Sequence, residues 1–255
     1  MINIIKYNLH DIFRNRVVIS YTVFLFLVSV SFFNLDENPV KGVMSLLNIV
    51  LIVLPMVSII FSTIHQYNSS EFTELLLAQP IKRKTIIISQ FLSLSISMCT
   101  AVIIGIGIPV LMYYPSEAGI MLVLSAVLLT LVFISFAVLT SVIARDKSRG
   151  IGMSILLWFF FALIYDGLLL WIVFSFSDYP LEQPILILTA LNPVDLARIL
   201  VLLKLDLSAL MGYTGALYRK FFGSDTGMIL SAIILMLWVI IPVVFATRTF
   251  IKKDL

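Results

Sequence analysis

Six long apolar stretches limit this chain to folds that a lipid bilayer can solvate. A helix needs roughly 20 apolar residues to cross the hydrocarbon layer. The stretches near or above this length are Val17–Phe33, Val43–Ile64, Ile86–Tyr113, Gly119–Ala144, Ile151–Phe176 and Met228–Thr247. Only 12% of the 255 residues are charged, against about a quarter in soluble domains. No alternating strand pattern recurs, so we predict an all-α polytopic membrane protein with six transmembrane helices in one domain over residues 1–255.

The distribution of charge predicts the orientation of the helices. Lys and Arg concentrate in short cytoplasmic loops, and most of the 17 basic residues fall on the inner side if the N-terminus is placed there. Both termini are therefore expected in the cytoplasm. The apolar stretch Ile185–Leu210 is interrupted by charged residues, which are costly in lipid. We interpret it as helix and loop on the outer surface, within a periplasmic insertion over residues 177–227.

Residues 1–16 have the pattern of an amphipathic helix. Apolar residues at helical spacing stand opposite polar ones: Ile5, Leu9, Ile12 and Phe13 against Lys6, Asn8, Asp11 and Arg14. A basic amphipathic helix that leads into a span predicts an elbow lying in the plane of the inner leaflet. The alternative is a frayed leader.

Residues 68–79, between the second and third spans, predict a short cytoplasmic helix. Asn68 and Glu71 can form a capping box, Glu74 lies near the start, where the helix dipole favours acids, and Pro80 ends the helix. Phe72, Leu75, Leu76 and Gln79 form one stripe, which predicts a groove on a partner protein. The alternative is an ordinary loop whose leucines dip into the bilayer.

Chemistry-bearing residues are scarce inside the spans. Asp166 is the only acid placed within one, so it is a candidate for gating or for the cargo path; the alternative is a buried hydrogen bond to Tyr165 or a serine. Cys99 follows Met98 and could bind a soft metal, but a lone buried thiol is usually a small apolar side chain. No metal site is predicted. GIGIP, Gly105–Pro109, has no lysine and indicates packing or a kink.

The outer segment contains a candidate surface for a partner. Asn192 and Pro193 can begin a helix, and Asp195 and Arg198 are three residues apart on it. The proposed contact residues are Asn192, Asp195, Arg198, Gly212, Tyr213, Gly215 and Arg219. Alternatively, the charged pair only stabilises the helix.

The stretch ELLLAQPIKRKTII resembles the first cytoplasmic loop of type-2 ABC transporter permeases. The overall layout is also similar to that of these permeases: an N-terminal elbow, six spans, a short basic loop (ARDKSRG) between the fourth and fifth spans, and an outer insertion before the sixth. The resemblance implies a multi-pass permease of a bacterial inner membrane that works as a homodimer. It also implies that residues 68–79 are a coupling helix, which docks on cytoplasmic ATPase subunits through Glu71, Phe72, Glu74, Leu75, Leu76 and Gln79. No G-x-x-x-x-G-K-[ST] loop is present, so this chain is expected to bind no cofactor and not to be an enzyme, with ATP and Mg on the partner.

A narrower resemblance lies in LNPVDLARILVLL and MGYTGALYRKFFGSDTG, which look like the matching region of NosY-type permeases. It implies a NosF-type ATPase, a periplasmic NosD-type partner, and export of a sulfur- or copper-related species for nitrous oxide reductase maturation. The alternatives are another type-2 exporter of lipid, drug or peptide, or a self-sufficient carrier or channel. A membrane enzyme would need clustered His, Asp or Glu, and the net charge of +3 gives no reason to expect nucleic acid.

Overall fold

The structure, a computed structural model, describes residues 2–35, 38–144, 146–176, 182–205 and 225–252, which are helical with short connections and contain no strand. The helices are α1 Ile2–Phe13, α2 Arg16–Leu35, α3 Pro39–Asn68, α4 Ser70–Leu77, α5 Arg83–Tyr113, α6 Glu117–Ile143, α7 Lys147–Ser175, α8 Glu182–Ala190, α9 Pro193–Lys204 and α10 Asp225–Lys252. We call the end of the bundle that carries α4 the inner end, and the opposite end the outer end.

Six of these helices, α2, α3, α5, α6, α7 and α10, are long and apolar enough to cross a membrane, which confirms the predicted number of spans. Several extend beyond the predicted apolar stretches. For example, α3 continues past Ile64 to Asn68. A hydropathy pattern identifies only the part of a helix that lies in the hydrocarbon layer. The backbone hydrogen bonds continue through polar residues at the membrane interface, so the helix is longer than its apolar stretch.

The centre of the bundle is α6, which packs against α3, α5, α7, α9 and α10. Of its most apolar 18-residue stretch, 72% is buried, whereas only 11% of the corresponding stretch of α7 is buried. Because lipid is as apolar as the side chains, close packing and hydrogen bonds hold such helices together rather than a hydrophobic driving force. The α7 helix therefore lies at the edge of the bundle, with most of its surface free of intrachain contacts.

Two spans contain a π-helical turn: Ile103–Gly107 in α5 and Phe160–Ile164 in α7. In the first turn, Gly105 faces α2 closely. A β-carbon there would come within 2.5 Å of the Leu25 Cβ and 3.2 Å of the Thr22 carbonyl oxygen. Glycine at 105 thus permits α2 and α5 to approach each other, which is the packing role that the GIGIP sequence suggested.

Helices α8 and α9 are bent by 108° relative to each other, and the bend, residues 190–193, reaches into the bundle. The Asn192 side-chain amide donates to the carbonyl of Phe161, halfway along α7, at 3.1 Å. The Trp238 indole of α10 donates to the Ala190 carbonyl at 3.3 Å. The other end of α9 is at the outer end of the bundle, where Lys204 Nζ lies 2.6 Å from Glu117 Oε2.

The bend therefore lies deeper in the bundle than a segment on the outer surface would, and the described residues form no straight seventh span. The assignment of residues 177–227 to the periplasmic side stays a prediction. The 12 residues of α9 give about 18 Å of helix, at 1.5 Å per residue, between the middle of the bundle and its outer end. The expectation of a segment on the outer surface rested on the cost of charges in lipid. That cost is reduced here because the charged side chains pair with one another inside the protein.

At the inner end, α1 packs against α5, and Ser93 Oγ donates to the Ile5 carbonyl at 3.4 Å. The buried residues of α1 are Ile4, Asn8 and Ile12. Asn8 was expected on the polar face, but it is buried because the contact with α5, rather than lipid alone, determines which face is covered. The in-plane orientation of α1 stays a prediction.

Candidate functional site

The helix predicted at residues 68–79 is present but shorter, and its first residue differs. It covers Ser70–Leu77, separated from the end of α3 by Ser69 alone. Asn68 is not the N-cap: it is the last residue of α3, and its Oδ1 accepts a hydrogen bond from Lys147 Nζ at 2.8 Å. Ser69 takes the cap position without a side-chain cap hydrogen bond. The Lys147 bond thus occupies the oxygen that the capping box would have used.

The apolar stripe expected on α4 is divided between two faces. Leu76 is 5% exposed and packs in a cluster with Ile4 and Ile86, and the ring of Phe72 stacks on Tyr7 with centroids 4.7 Å apart. Leu75 is 65% exposed. The remaining predicted docking residues, Glu71, Glu74 and Gln79, are also exposed. Leu76 and Phe72 therefore hold α4 to the bundle, whereas the other four present an acidic surface with one leucine.

A polar contact adds to this attachment. The Gln90 side chain of α5 donates to the Thr73 hydroxyl at 2.7 Å, and that hydroxyl donates to the Ser69 carbonyl at 2.9 Å. With the direct connection to α3, these contacts fix α4 to three helices. A force applied to α4 is thus transmitted to two spans and to α1.

The second candidate site is a charge cluster at the α8–α9 bend. Arg198 Nη1 lies 2.8 Å from Asp166 Oδ2 of α7 and 3.1 Å from Asp195 Oδ1 of its own helix. The Asn192 amide donates to Asp195 Oδ2 at 2.9 Å, and its Oδ1 caps α9 by accepting from the Val194 N–H at 3.0 Å. The sequence had placed Asp166 and Arg198 in separate sites, and the structure joins them.

Burial within this cluster is uneven. Asn192 is fully buried and Asp195 is 7% exposed, whereas the side chains of Asp166 and Arg198 are each 30% exposed. Asn192 thus has no free surface for direct contact with a partner, and Asp195 has very little. Arg198 keeps some exposure, and Gly212, Tyr213, Gly215 and Arg219 lie outside the described residues.

The alternative role given for Asp166 was a buried hydrogen bond to Tyr165 or to a serine, but the structure pairs its carboxylate with Arg198. Tyr165 instead donates to the Leu188 carbonyl of α8 at 2.6 Å. One signal in the sequence could have indicated the pairing. A lone acid in one span needs a partner of opposite charge, and Arg198 is a cation in a nearby apolar stretch.

The chemistry available in these two sites is mechanical and electrostatic. Among the described residues, no three His, Cys, Asp or Glu side chains are grouped so that they could hold a metal ion. Cys99 is partly buried in α5. An ion pair between two helices can open and close without covalent chemistry, and an exposed acidic helix can receive a second protein.

Comparison with known families gives a match over residues 2–255 to the model described as "ABC-2 family transporter protein". Two similar proteins are each called "Probable ABC transporter permease protein NosY". The Pseudomonas aeruginosa protein is 33% identical over 148 residues, which cover 54% of this chain and 54% of that protein, about half its length. The Stutzerimonas stutzeri protein is 26% identical over 246 residues, which cover 88% of this chain and 87% of that protein.

Proposed function

Because this chain belongs to the ABC-2 family of transporter proteins, a multi-pass membrane family whose permease subunits rely on separate ATPase subunits, we propose that α4 is its coupling helix. ATP hydrolysis, with ATP and Mg held by the partner, drives the ATPase to push on the exposed face of α4. The observation that carries the proposal is the division of α4 into a face anchored by Leu76 and Phe72 and an exposed face around Leu75.

This arrangement suits the transmission of force. A docking helix must present a surface to its partner and must also be fixed firmly to the spans that it moves. Here α4 is separated from α3 by one residue and contacts α1 and α5. A loop whose leucines dipped into lipid would keep its acidic residues on the opposite face, in water, because charges are costly in hydrocarbon. Instead Glu71, Glu74 and Leu75 are exposed together.

The transporter unit is a homodimer of two six-span chains with two ATPases, and cargo passes between the two chains. The exposed apolar side chains of the inner half of α7, Lys147–Phe159, support this arrangement: Leu156 is 67% exposed, and a second copy would cover such surface. The dense basic residues of the inner loops support cytoplasmic termini and a bacterial inner membrane location.

For the cargo, we infer a sulfur- or copper-related species exported for nitrous oxide reductase maturation, with an ATPase of the NosF type and a periplasmic partner of the NosD type. Similarity to the two proteins called NosY permease, one of them along most of its length, supports this assignment.

Co-purification tests the docking role. A tagged chain is expressed with the ATPase subunits of its own operon, and the amount of bound ATPase is measured. Leu75→Asp should reduce it at least about tenfold, which corresponds to about 1.4 kcal/mol, because the substitution places a carboxylate where an apolar side chain would be covered by the ATPase. Ser148→Asp is the control, since it adds the same charge at the inner end of the bundle, in the first turn of α7, where the side chain is exposed. Equal recovery of ATPase with wild type and Leu75→Asp would refute the docking role.

A further inference from the structure

We propose that the outer half of α7, Tyr165–Ser175, is a hinged arm, and that the Asp166–Arg198 ion pair is the latch that holds this arm against the α8–α9 bend. Release of the latch opens the outer end of the transport path. The inference rests on the proposed permease function for its purpose, but its geometry depends on this chain alone.

The inner half of α7, Lys147–Phe159, is fixed to the bundle. The Ser154 hydroxyl is fully buried and lies 2.8 Å from that of Thr63 in α3 and 2.7 Å from that of Thr140 in α6. The Trp158 indole donates to the Ile52 carbonyl of α3 at 3.0 Å. Three contacts to two neighbouring spans therefore hold this half in place.

The outer half has a different environment. Within the part of the chain that the structure describes, Tyr165–Ser175 contains no buried residue. Two polar contacts near its start connect it to the α8–α9 segment: Tyr165 to the Leu188 carbonyl at 2.6 Å, and Asp166 to Arg198 at 2.8 Å. Val173 is partly buried against the apolar cluster that includes Leu196. The attachment next to the hinge is polar, and polar contacts can be exchanged for water.

The two halves meet at the π-helical turn Phe160–Ile164. Such a turn interrupts the regular backbone hydrogen bonds of a helix and is a recurrent place for bending. The first part of the turn is still anchored, since Phe161 is buried against Phe136 and Trp238 and accepts the Asn192 hydrogen bond. The exposed residues 163 and 164 lie between this anchor and the two polar contacts. The turn is therefore placed to act as the hinge of the outer half.

The charges allow the latch to open at limited cost. Leaving a buried charge without a partner is strongly unfavourable. Arg198, however, is bound to two carboxylates, and Asp195 is held beside it by the buried Asn192 amide. When Asp166 leaves, the guanidinium keeps Asp195 as its partner. Asp166 is 30% exposed in the closed arrangement, so it can gain water as it separates.

A distance measurement in the full-length chain tests the hinge. The single cysteine permits a Cys99→Ser background, and spin labels are placed at Phe174→Cys on the arm and Ile120→Cys at the outer start of α6, both exposed. The protein is reconstituted in lipid nanodiscs without ATPase. It is diluted with unlabelled chain, so that double electron–electron resonance reports distances within one copy.

In the wild type, the open arrangement, with a longer distance between the two labels, is expected in roughly 10% of molecules or fewer. Asp166→Asn should increase this fraction at least about threefold. Tyr165→Phe, which removes only the second polar contact, should shift the population in the same direction by a smaller amount. Glu117→Gln is the matched control. It removes the ion pair with Lys204, in which Glu117 is 81% exposed, and should leave the distances unchanged.

The inference is overturned if Asp166→Asn and Tyr165→Phe both give the wild-type distance distribution, or if Glu117→Gln produces the same change as Asp166→Asn. Because no ATPase is present, these results are independent of the co-purification experiment. A chain that fails to bind ATPase but shows the arm movement would contradict the coupling role alone. A chain that binds ATPase but has a rigid α7 would contradict the hinge alone.

Discussion

Tyr67 and Gly150 are in direct contact where the inner ends of α3 and α7 meet. The Tyr67 ring occupies the space that a β-carbon at residue 150 would need, and the Tyr67 hydroxyl donates to the Ala144 carbonyl at 3.3 Å. The absence of a side chain at 150 thus allows the inner loop to close tightly over α3. This contact also places Lys147 beside Asn68, at the junction with α4.

Gly150→Ala should therefore destabilise the protein. The added methyl group overlaps a rigid ring, and overpacking of this kind costs about 1–3 kcal/mol. The midpoint of thermal unfolding in detergent should fall by several degrees. Gly152→Ala is the control, because no atom lies within 4 Å of the added β-carbon. Equal midpoints for the two variants would contradict the contact.

The three-hydroxyl contact at Ser154 predicts a smaller effect. Hydrogen bonds between transmembrane helices contribute about 0.6 kcal/mol on average and up to about 1.7 kcal/mol. Ser154→Ala removes two such contacts, to Thr63 and Thr140. The unfolding midpoint should decrease measurably. Ser141→Ala should leave it unchanged because, among the described residues, the Ser141 hydroxyl bonds to the Val138 carbonyl of its own helix and to no other span. A larger loss for Ser141→Ala would reverse this assignment.

Asn192 and Asn38 provide a matched pair of helix caps. Each accepts a hydrogen bond from the backbone N–H two residues later, at 3.0 Å, but Asn192 is buried and Asn38 is exposed. Loss of a cap alone costs about 1 kcal/mol, which is our expectation for Asn38→Ala. Asn192→Ala also removes the bonds to Asp195 and Phe161.

For each buried group left unpaired, about 1–3 kcal/mol is added to the cost of Asn192→Ala. Its unfolding midpoint should thus fall further than that of Asn38→Ala. Thermal unfolding of both variants under one set of conditions provides the comparison. Indistinguishable midpoints would show that the α8–α9 bend does not depend on Asn192.

Substitutions at Leu75 and Leu76 should have different effects, one on ATPase binding and the other on the stability of the fold. Truncation of a buried leucine costs about 2–5 kcal/mol, so Leu76→Ala should lower the unfolding midpoint by loosening the cluster with Ile4 and Ile86. Leu75→Ala should change stability by less than about 0.5 kcal/mol while it reduces ATPase recovery. The two measurements on both variants form the test. A stability loss for Leu75→Ala equal to that for Leu76→Ala would contradict the division of α4 into two faces.

The spans were predictable because transfer into lipid acts on each apolar residue almost independently of its neighbours, so length and composition suffice. The position of α4 was predictable from its acids and from Pro80. The sequence could not predict which leucine of α4 is buried, because the burial of Leu76 depends on contacts with Ile4, 72 residues earlier in the chain, and with Ile86. In the same way, the sequence identified Asp166 as a candidate functional residue but did not identify its partner. Arg198 is brought next to Asp166 by the fold of α8 and α9.

The π-helical turn of α7 has a consequence for register. One extra residue is accommodated between the two halves, and each residue of a regular helix turns the following chain by about 100°. Deletion of one residue within 160–164 would restore an ordinary helix without shortening the span below membrane thickness. Because the five residues of the π-helical turn rotate the chain about as far as four residues of a regular helix, the later side chains would keep their azimuth and Asp166 would still face Arg198. In this span, the extra residue adds a place to bend without changing the face of the helix that carries the charge.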